Sequence, residues 1–113
     1  MTPKQKERIQ QKIKKIKSAL AADKRFWHGY YHDGQGLRYG IPRLYIQLQD
    51  NSGAYRYFSW FDKNFPGDVC YPEFLFEWTL VLFYKKKTKE AESKAWKTFA
   101  VTYTYLINFL AEP

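Results

Sequence analysis

DGQGLRYGIPRLYIQLQDNSGAYRYFSWFDKNFP, residues 33–66, decides the reading of this chain. It reads as two short helices joined by a polar turn and closed by a proline. Leu37, Ile41, Leu44, Tyr45 and Leu48 recur at helical spacing on one face of the first. Pro42 predicts a helix start close by, because proline is tolerated in a first turn and damaging later. Asp50-Asn51-Ser52-Gly53 has the composition of a cap and chain reversal. Ala54, Phe58, Phe61 and Phe65 then form the apolar face of the second helix, which Asn64 and Pro66 end. Ala54 is the small residue at which the two helices are expected to approach closely.

The flanking sequence extends the same pattern. Thr2, Pro3 and Gln5 form a capping box with proline in the first turn, so a helix is expected from Pro3 to about residue 25. Its apolar stripe is Ile9, Ile13, Ile16 and Leu20, and lysines cover the rest. Beyond Gly67-Asp68, a second hairpin is expected over 72–100. Its first helix runs from Pro72 to Tyr84 and is apolar on two sides, which predicts a helix sandwiched between neighbours. Lys85-Lys86-Lys87 form the turn, Thr88 is the expected N-cap, and Ala91, Ala95, Trp96 and Phe99 follow. The β-branched patch Val101-Thr102-Tyr103 suggests a bend, after which Leu106, Phe109 and Leu110 make the stripe of a capping helix over 102–111. The expected fold is therefore all-α: one domain over 1–113, a short array of antiparallel helical hairpins with five or six helices.

Composition narrows the chemistry. The formal net charge is +8, yet residues 1–25 hold nine Lys/Arg against two acidic residues, so the basic character belongs to the first helix. The single cysteine, Cys70, forms no internal disulfide and excludes a Cys-rich zinc module. No apolar secretory segment opens the chain, and the run from Phe74 to Tyr84 falls short of the ~20 residues that span a bilayer. A soluble, cytoplasmic protein is the expectation. His28 and His32 are four apart, a spacing that suits a shared metal on one helix. Gly29 between them and the missing HExxH glutamate argue instead for loop histidines without a metal. No spacing suggests a catalytic triad or a carboxylate pair, so neither catalytic residues nor a cofactor are expected.

The two hairpins correspond: Ala54 and Ala91, each opening the packing face of a second helix, stand 37 residues apart, a solenoid-like period. The chain thereby resembles the tetratricopeptide repeat family over about residues 35–104. The first hairpin matches its pattern at Ile41, Tyr45, Ala54, Phe58 and Pro66 and departs at Arg38, Pro42 and Phe61. The second matches at Leu75, Leu82 and Ala91; Ala95 is small where the family has an aromatic, and no closing proline follows. The run Asp33-Gly34-Gln35-Gly36-Leu37-Arg38 with Pro42 and Leu44 is also similar to a DGxGxRxxxPxL pattern. That pattern belongs to repeat-like regions of uncharacterised bacterial proteins and of fungal proteins bearing a zinc finger. The finger's clustered Cys and His are absent here, and so is the GK[ST] ending of a phosphate loop. In that pattern Asp33 and Arg38 are expected to pair and fix the start of the hairpin.

The resemblance implies a binding module for a protein or peptide, with the first helix of each hairpin lining a groove. Carried onto this chain, the groove residues are Tyr39, Arg43, Ile46 and Gln47 in the first hairpin. In the second they are Glu73, Phe76, Leu80, Phe83 and Tyr84. The apolar patch of Phe76, Leu80 and Phe83 needs cover, for which Leu106, Phe109 and Leu110 are the expected source and a second protomer the alternative. Nucleic-acid or anionic-surface binding through the Lys-rich first helix is the alternative function, and self-association fits either.

Overall fold

Thr2 starts the chain as its sequence predicts. Its hydroxyl accepts from the Gln5 backbone N–H at 3.2 Å while the Gln5 side chain accepts from the Thr2 N–H at 2.9 Å. A computed structural model describes residues 1–111. Among them are five α-helices and no strand: α1 (Pro3–Phe26), α2 (Ile41–Gln47), α3 (Asn51–Asn64), α4 (Pro72–Tyr84) and α5 (Thr88–Ala111). A 3₁₀ turn, Leu37–Tyr39, precedes α2. The fold is all-α, and no helix among the described residues is long and apolar enough to cross a membrane.

Within the chain two compact units can be distinguished, Met1–Tyr57 and a second beginning at Phe58. The division falls within α3, whose residues serve two cores: Ala54 and Tyr57 are buried in the first, Phe58 and Phe61 in the second. In the first unit α1 packs on the 3₁₀ turn and α2, burying Ile13 and Leu20 and half-burying Ile9 and Ile16. The basic helix is therefore a structural part of its unit. Lys17 donates to the Tyr45 hydroxyl at 2.7 Å and sets its ammonium over that ring, tying α1 to α2.

In the second unit aromatic rings form the core. Phe58 stacks on Trp78 (4.8 Å between centroids), and Phe61 and Phe74 pack at 4.7 Å. Helices α4 and α5 pair as a hairpin. The α5 side turned to α4 carries Ala91, Lys94, Thr98 and Val101; Lys94 holds its ammonium 3.6 Å from the Trp78 ring centre. Burial, and next the neighbouring Lys97, pull the Lys94 ammonium below the usual lysine value. Cys70 is buried, and burial, followed by Asp68, pushes its thiol up.

One expectation needs correction. Helix α5 runs unbroken from Thr88 to Ala111, so there is no bend at Val101-Thr102-Tyr103 and no separate helix over 102–111. That stretch contains neither glycine nor proline, and the hydroxyls of Thr98, Thr102 and Thr104 bond back to carbonyls four residues earlier. A close approach after α2 is made at Gly53, next to the fully buried Ala54. A Cβ on Gly53 would lie 2.6 Å from the Tyr45 ring and would collide with the Asp50 carboxylate. That carboxylate accepts from the Gly53 N–H at 2.8 Å and caps α3, so cap and ring leave no room for a side chain.

Three helices end in the same way without glycine. After α1, α2 and α4, the residues His28, Gln49 and Lys86 adopt left-handed backbone with φ of 56°, 57° and 60°. In each case two backbone bonds close a Schellman motif. They are His28 to Arg25 and Gly29 to Lys24, Gln49 to Ile46 and Asp50 to Tyr45, and Lys86 to Phe83 and Lys87 to Leu82. Gln49 and Lys86 stand 37 residues apart, the spacing of Ala54 and Ala91, so the repeat extends to the helix ends. A side chain in this conformation costs about 1–2 kcal/mol that glycine avoids, partly offset by the freedom glycine gains when unfolded. Gln49→Gly and Lys86→Gly are each expected to stabilise the protein by ~0.5–1 kcal/mol, read as higher urea midpoints; a lower midpoint for both would contradict the motif.

Candidate functional site

Asp33 organises the ground from which the first unit's candidate residues project. It is a buried acid in left-handed backbone (φ 42°), a conformation aspartate tolerates better than most residues. Its carboxylate accepts from the N–H groups of Leu37 (2.9 Å) and Arg38 (3.0 Å) and from the Arg38 guanidinium at 2.9 Å. The expected Asp33–Arg38 pair is thus present, and it caps the 3₁₀ turn that leads into α2. From behind, the Asp23 carboxylate of α1 accepts from the N–H groups of His32 and Asp33 at 2.8 and 3.0 Å. From the other side, the Tyr57 hydroxyl of α3 donates to the Arg38 carbonyl at 2.5 Å. One loop therefore ties α1, the turn and α3 together.

Tyr39 is part of this anchor. The Arg38 guanidinium lies 4.4 Å from its ring centre and donates to its hydroxyl at 2.9 Å, leaving the ring half-buried. Arg43 and Gln47, one turn apart on α2, are exposed, and Ile46 between them is half-buried. These residues belong to the first unit, and Glu73, Phe76, Leu80, Phe83 and Tyr84 to the second. On α4, Phe76, Leu80 and Phe83 follow at i, i+4 and i+7 and share one face. Phe76 is 56% exposed and Phe83 67%, Leu80 is half-buried, and Tyr84 stands edge-on to Phe83 at 6.1 Å. Glu73 is exposed on the first turn of the same helix.

The expected cover for this face does not form. Leu106, Phe109 and Leu110 are themselves 53–73% exposed, because α5 turns its Ala91, Lys94, Thr98 and Val101 side to α4 and continues unbroken to Ala111. The sequence reading also missed Trp96, Phe99 and Tyr103 as a surface, assigning large apolar residues on α5 to packing. Their spacing of three and four residues was the available signal.

His28 and His32 do not share a helix. α1 ends at Phe26, His28 occupies the left-handed position of the helix end, and His32 stacks on Trp27 at 4.9 Å. Among the described residues no group of three or more His, Cys, Asp or Glu side chains is placed to hold a metal.

Tyr57 supplies a pH test of the anchor. Burial, followed by the charge of Asp33, pushes its hydroxyl well above the ordinary tyrosine value of 10.0. Folding thus holds Tyr57 neutral where the unfolded chain would ionise it. Its contribution is complete below pH ~10 and is lost as pH rises above that. Tyr57→Phe is expected to cost ~1–3 kcal/mol at neutral pH, because the part-buried Arg38 carbonyl loses its donor. The variant should also lose stability less steeply than the wild type above pH ~10 in urea melts. Parallel alkaline curves would refute this role. Compared with protein-family models, curated proteins and solved structures, the chain matches none of them.

Proposed function

We propose that this protein is a non-catalytic, tetratricopeptide-like binding module that takes an apolar protein segment or peptide on the outer face of α4. One observation carries the reading: Phe76 and Phe83 stand more than half exposed on a helix whose other residues Phe74, Leu75, Trp78, Val81 and Leu82 are buried in a rigid core. Each such side chain gains about 1.5–3 kcal/mol on full burial, so a preformed apolar strip on a fixed helix favours a complementary partner. Leu80 fills the strip between the two rings, and Tyr84 adds a hydroxyl at its end, which suits a ligand with an apolar stripe and a polar flank. In the first unit, Arg43 and Gln47 offer a cation and an amide suited to a carboxylate or a peptide backbone. Peptides selected from a displayed library against the whole chain are expected to carry apolar residues at helical or alternating spacing. Their affinity should fall at least about tenfold, or ~1.4 kcal/mol, in the Phe76→Ser/Phe83→Ser variant. Selected peptides indifferent to that double substitution would overturn the assignment.

A second reading rests on α1. All of its cations except Lys24 are exposed, and its end carries the exposed aromatics Phe26, Trp27 and Tyr30. Cations beside accessible rings suit single-stranded nucleic acid, with phosphates on the lysines and bases on the rings. This reading predicts binding of a single-stranded oligonucleotide that weakens steeply with salt and is lost in Lys12→Glu/Lys15→Glu, while thermal stability is kept. Absence of binding at low salt removes it.

A further inference from the structure

We propose that α5 is a self-association helix, and that its second half pairs antiparallel with the same segment of a second copy of this chain. This face differs from the α4 strip and does not depend on it.

Trp96, Phe99, Tyr103, Leu106 and Leu110 recur at alternating spacings of three and four. That is the 3.5-residue period of a helix seam made to face another helix. All five are between 53% and 74% exposed. Their rings already form a ladder, with Trp96 against Phe99 at 6.3 Å and Phe99 stacked on Tyr103 at 6.2 Å. The seam is distinct from the side of α5 that meets α4 through Ala91, Lys94, Thr98 and Val101. It also runs past the end of α4, which has 13 residues against 24 in α5. The threonines beside it have turned their hydroxyls back to the helix carbonyls, so Thr98, Thr102 and Thr104 present little polarity.

Charge, area and symmetry choose the occupant. No charged residue lies between Lys97 and Ala111. A helix lying on a lipid surface sets Lys and Arg along its polar flank, and this one has none past Lys97, at the start of the seam. Charges that would select a different partner protein are missing as well. The seam is centred on Tyr103, so a copy running the opposite way presents the same residues in return, with Trp96 toward the partner's Leu110 end. At their exposures, the five residues and Ile107 offer on the order of 700 Å² per copy, close to the roughly 800 Å² per partner of a standard interface. Direction follows from the lysines. Residues 85–97 carry six lysines against two glutamates, and a parallel pair would set these segments side by side. Antiparallel pairing about Tyr103 moves their midpoints roughly 35 Å apart, and even the two Lys97 residues roughly 18 Å, beyond the Debye length at physiological salt.

Sedimentation of the whole chain from about 1 to about 200 µM is expected to show a monomer–dimer equilibrium with a micromolar constant. Tyr103→Glu should abolish the dimer with helicity and melting of the monomer unchanged, because the side chain is exposed and outside both cores. Direction is read with Trp96→Cys and Leu110→Cys chains under mild oxidation, the native Cys70 being buried. The antiparallel pair predicts disulfides between the two variants in a mixture and few between two Trp96→Cys chains. The proposal is overturned by a chain that stays monomeric throughout, by a Tyr103→Glu dimer as tight as wild type, by monomers that bind neutral vesicles through α5, or by efficient self-linking of Trp96→Cys.

Discussion

The first unit depends on a buried carboxylate whose two oxygens must both find donors. Asp33 is buried, and an ionised acid in that position is tolerated only if hydrogen bonds and an opposite charge replace its water. The chain provides both from within six residues: two backbone N–H groups of the turn it caps, and the guanidinium of Arg38. Satisfying Asp33 therefore forces Leu37–Tyr39 into a tight turn, which sets where Ile41 and Pro42 begin α2. Arg38 passes the constraint on, since its carbonyl receives the Tyr57 hydroxyl and its guanidinium lies on Tyr39. Removing the Arg38 charge would leave the buried Asp33 carboxylate without its cation, a larger loss than the pair itself contributes.

The helix ends show a second constraint, reversal of direction within three residues. Gln49 and Lys86 occupy left-handed positions that glycine fills more cheaply. The motif persists because the carbonyls at the ends of α2 and α4 gain donors from the reversing chain, and a small residue follows to let the next helix pack: Ala54 in one case, Ala91 in the other. What repeats at 37 residues is thus a piece of geometry, a capped end followed by an alanine, more than a set of matching side chains.

Much of this was legible in the sequence because it rests on local rules. The capping box at Thr2, the prolines in the first turns of α1, α2 and α4, and the Asp33–Arg38 pair all follow from residues a few positions apart. The helix ends were less legible: His28, Gln49 and Lys86 carry no residue-type signal for left-handed backbone, whereas Gly29 and Gly53 drew attention to neighbouring positions. The division inside α3 was hidden because its apolar face is continuous; Tyr57 and Phe58 are adjacent and both buried, yet they belong to different cores. On the candidate faces, Phe76 and Phe83 were named through the resemblance, whereas the two-sided apolar pattern of α4 by itself predicted that they would be covered. The contact of Tyr39 with Arg38 was not legible, because only the folded turn brings the guanidinium over its ring.

The rule that large apolar residues mark the core fails on α5 for a physical reason. A helix pressed against α4 at close range has room for small residues and for a lysine that lays its stem along Trp78, and Ala91, Lys94, Thr98 and Val101 meet that demand. The bulky residues are then displaced to the remaining circumference. Burial of hydrophobic residues is a one-way tendency: it explains what a core contains, and it does not require that every aromatic enter one. In a chain that is 20% aromatic, the core of the second unit is filled by Phe58, Phe61, Phe74 and Trp78, so additional rings stay outside. Once the side facing α4 is made of such residues, the length of α5 beyond α4 adds surface without adding core. The aromatic ladder from Trp96 to Tyr103 therefore follows the spacing of the sequence and stays more than half exposed.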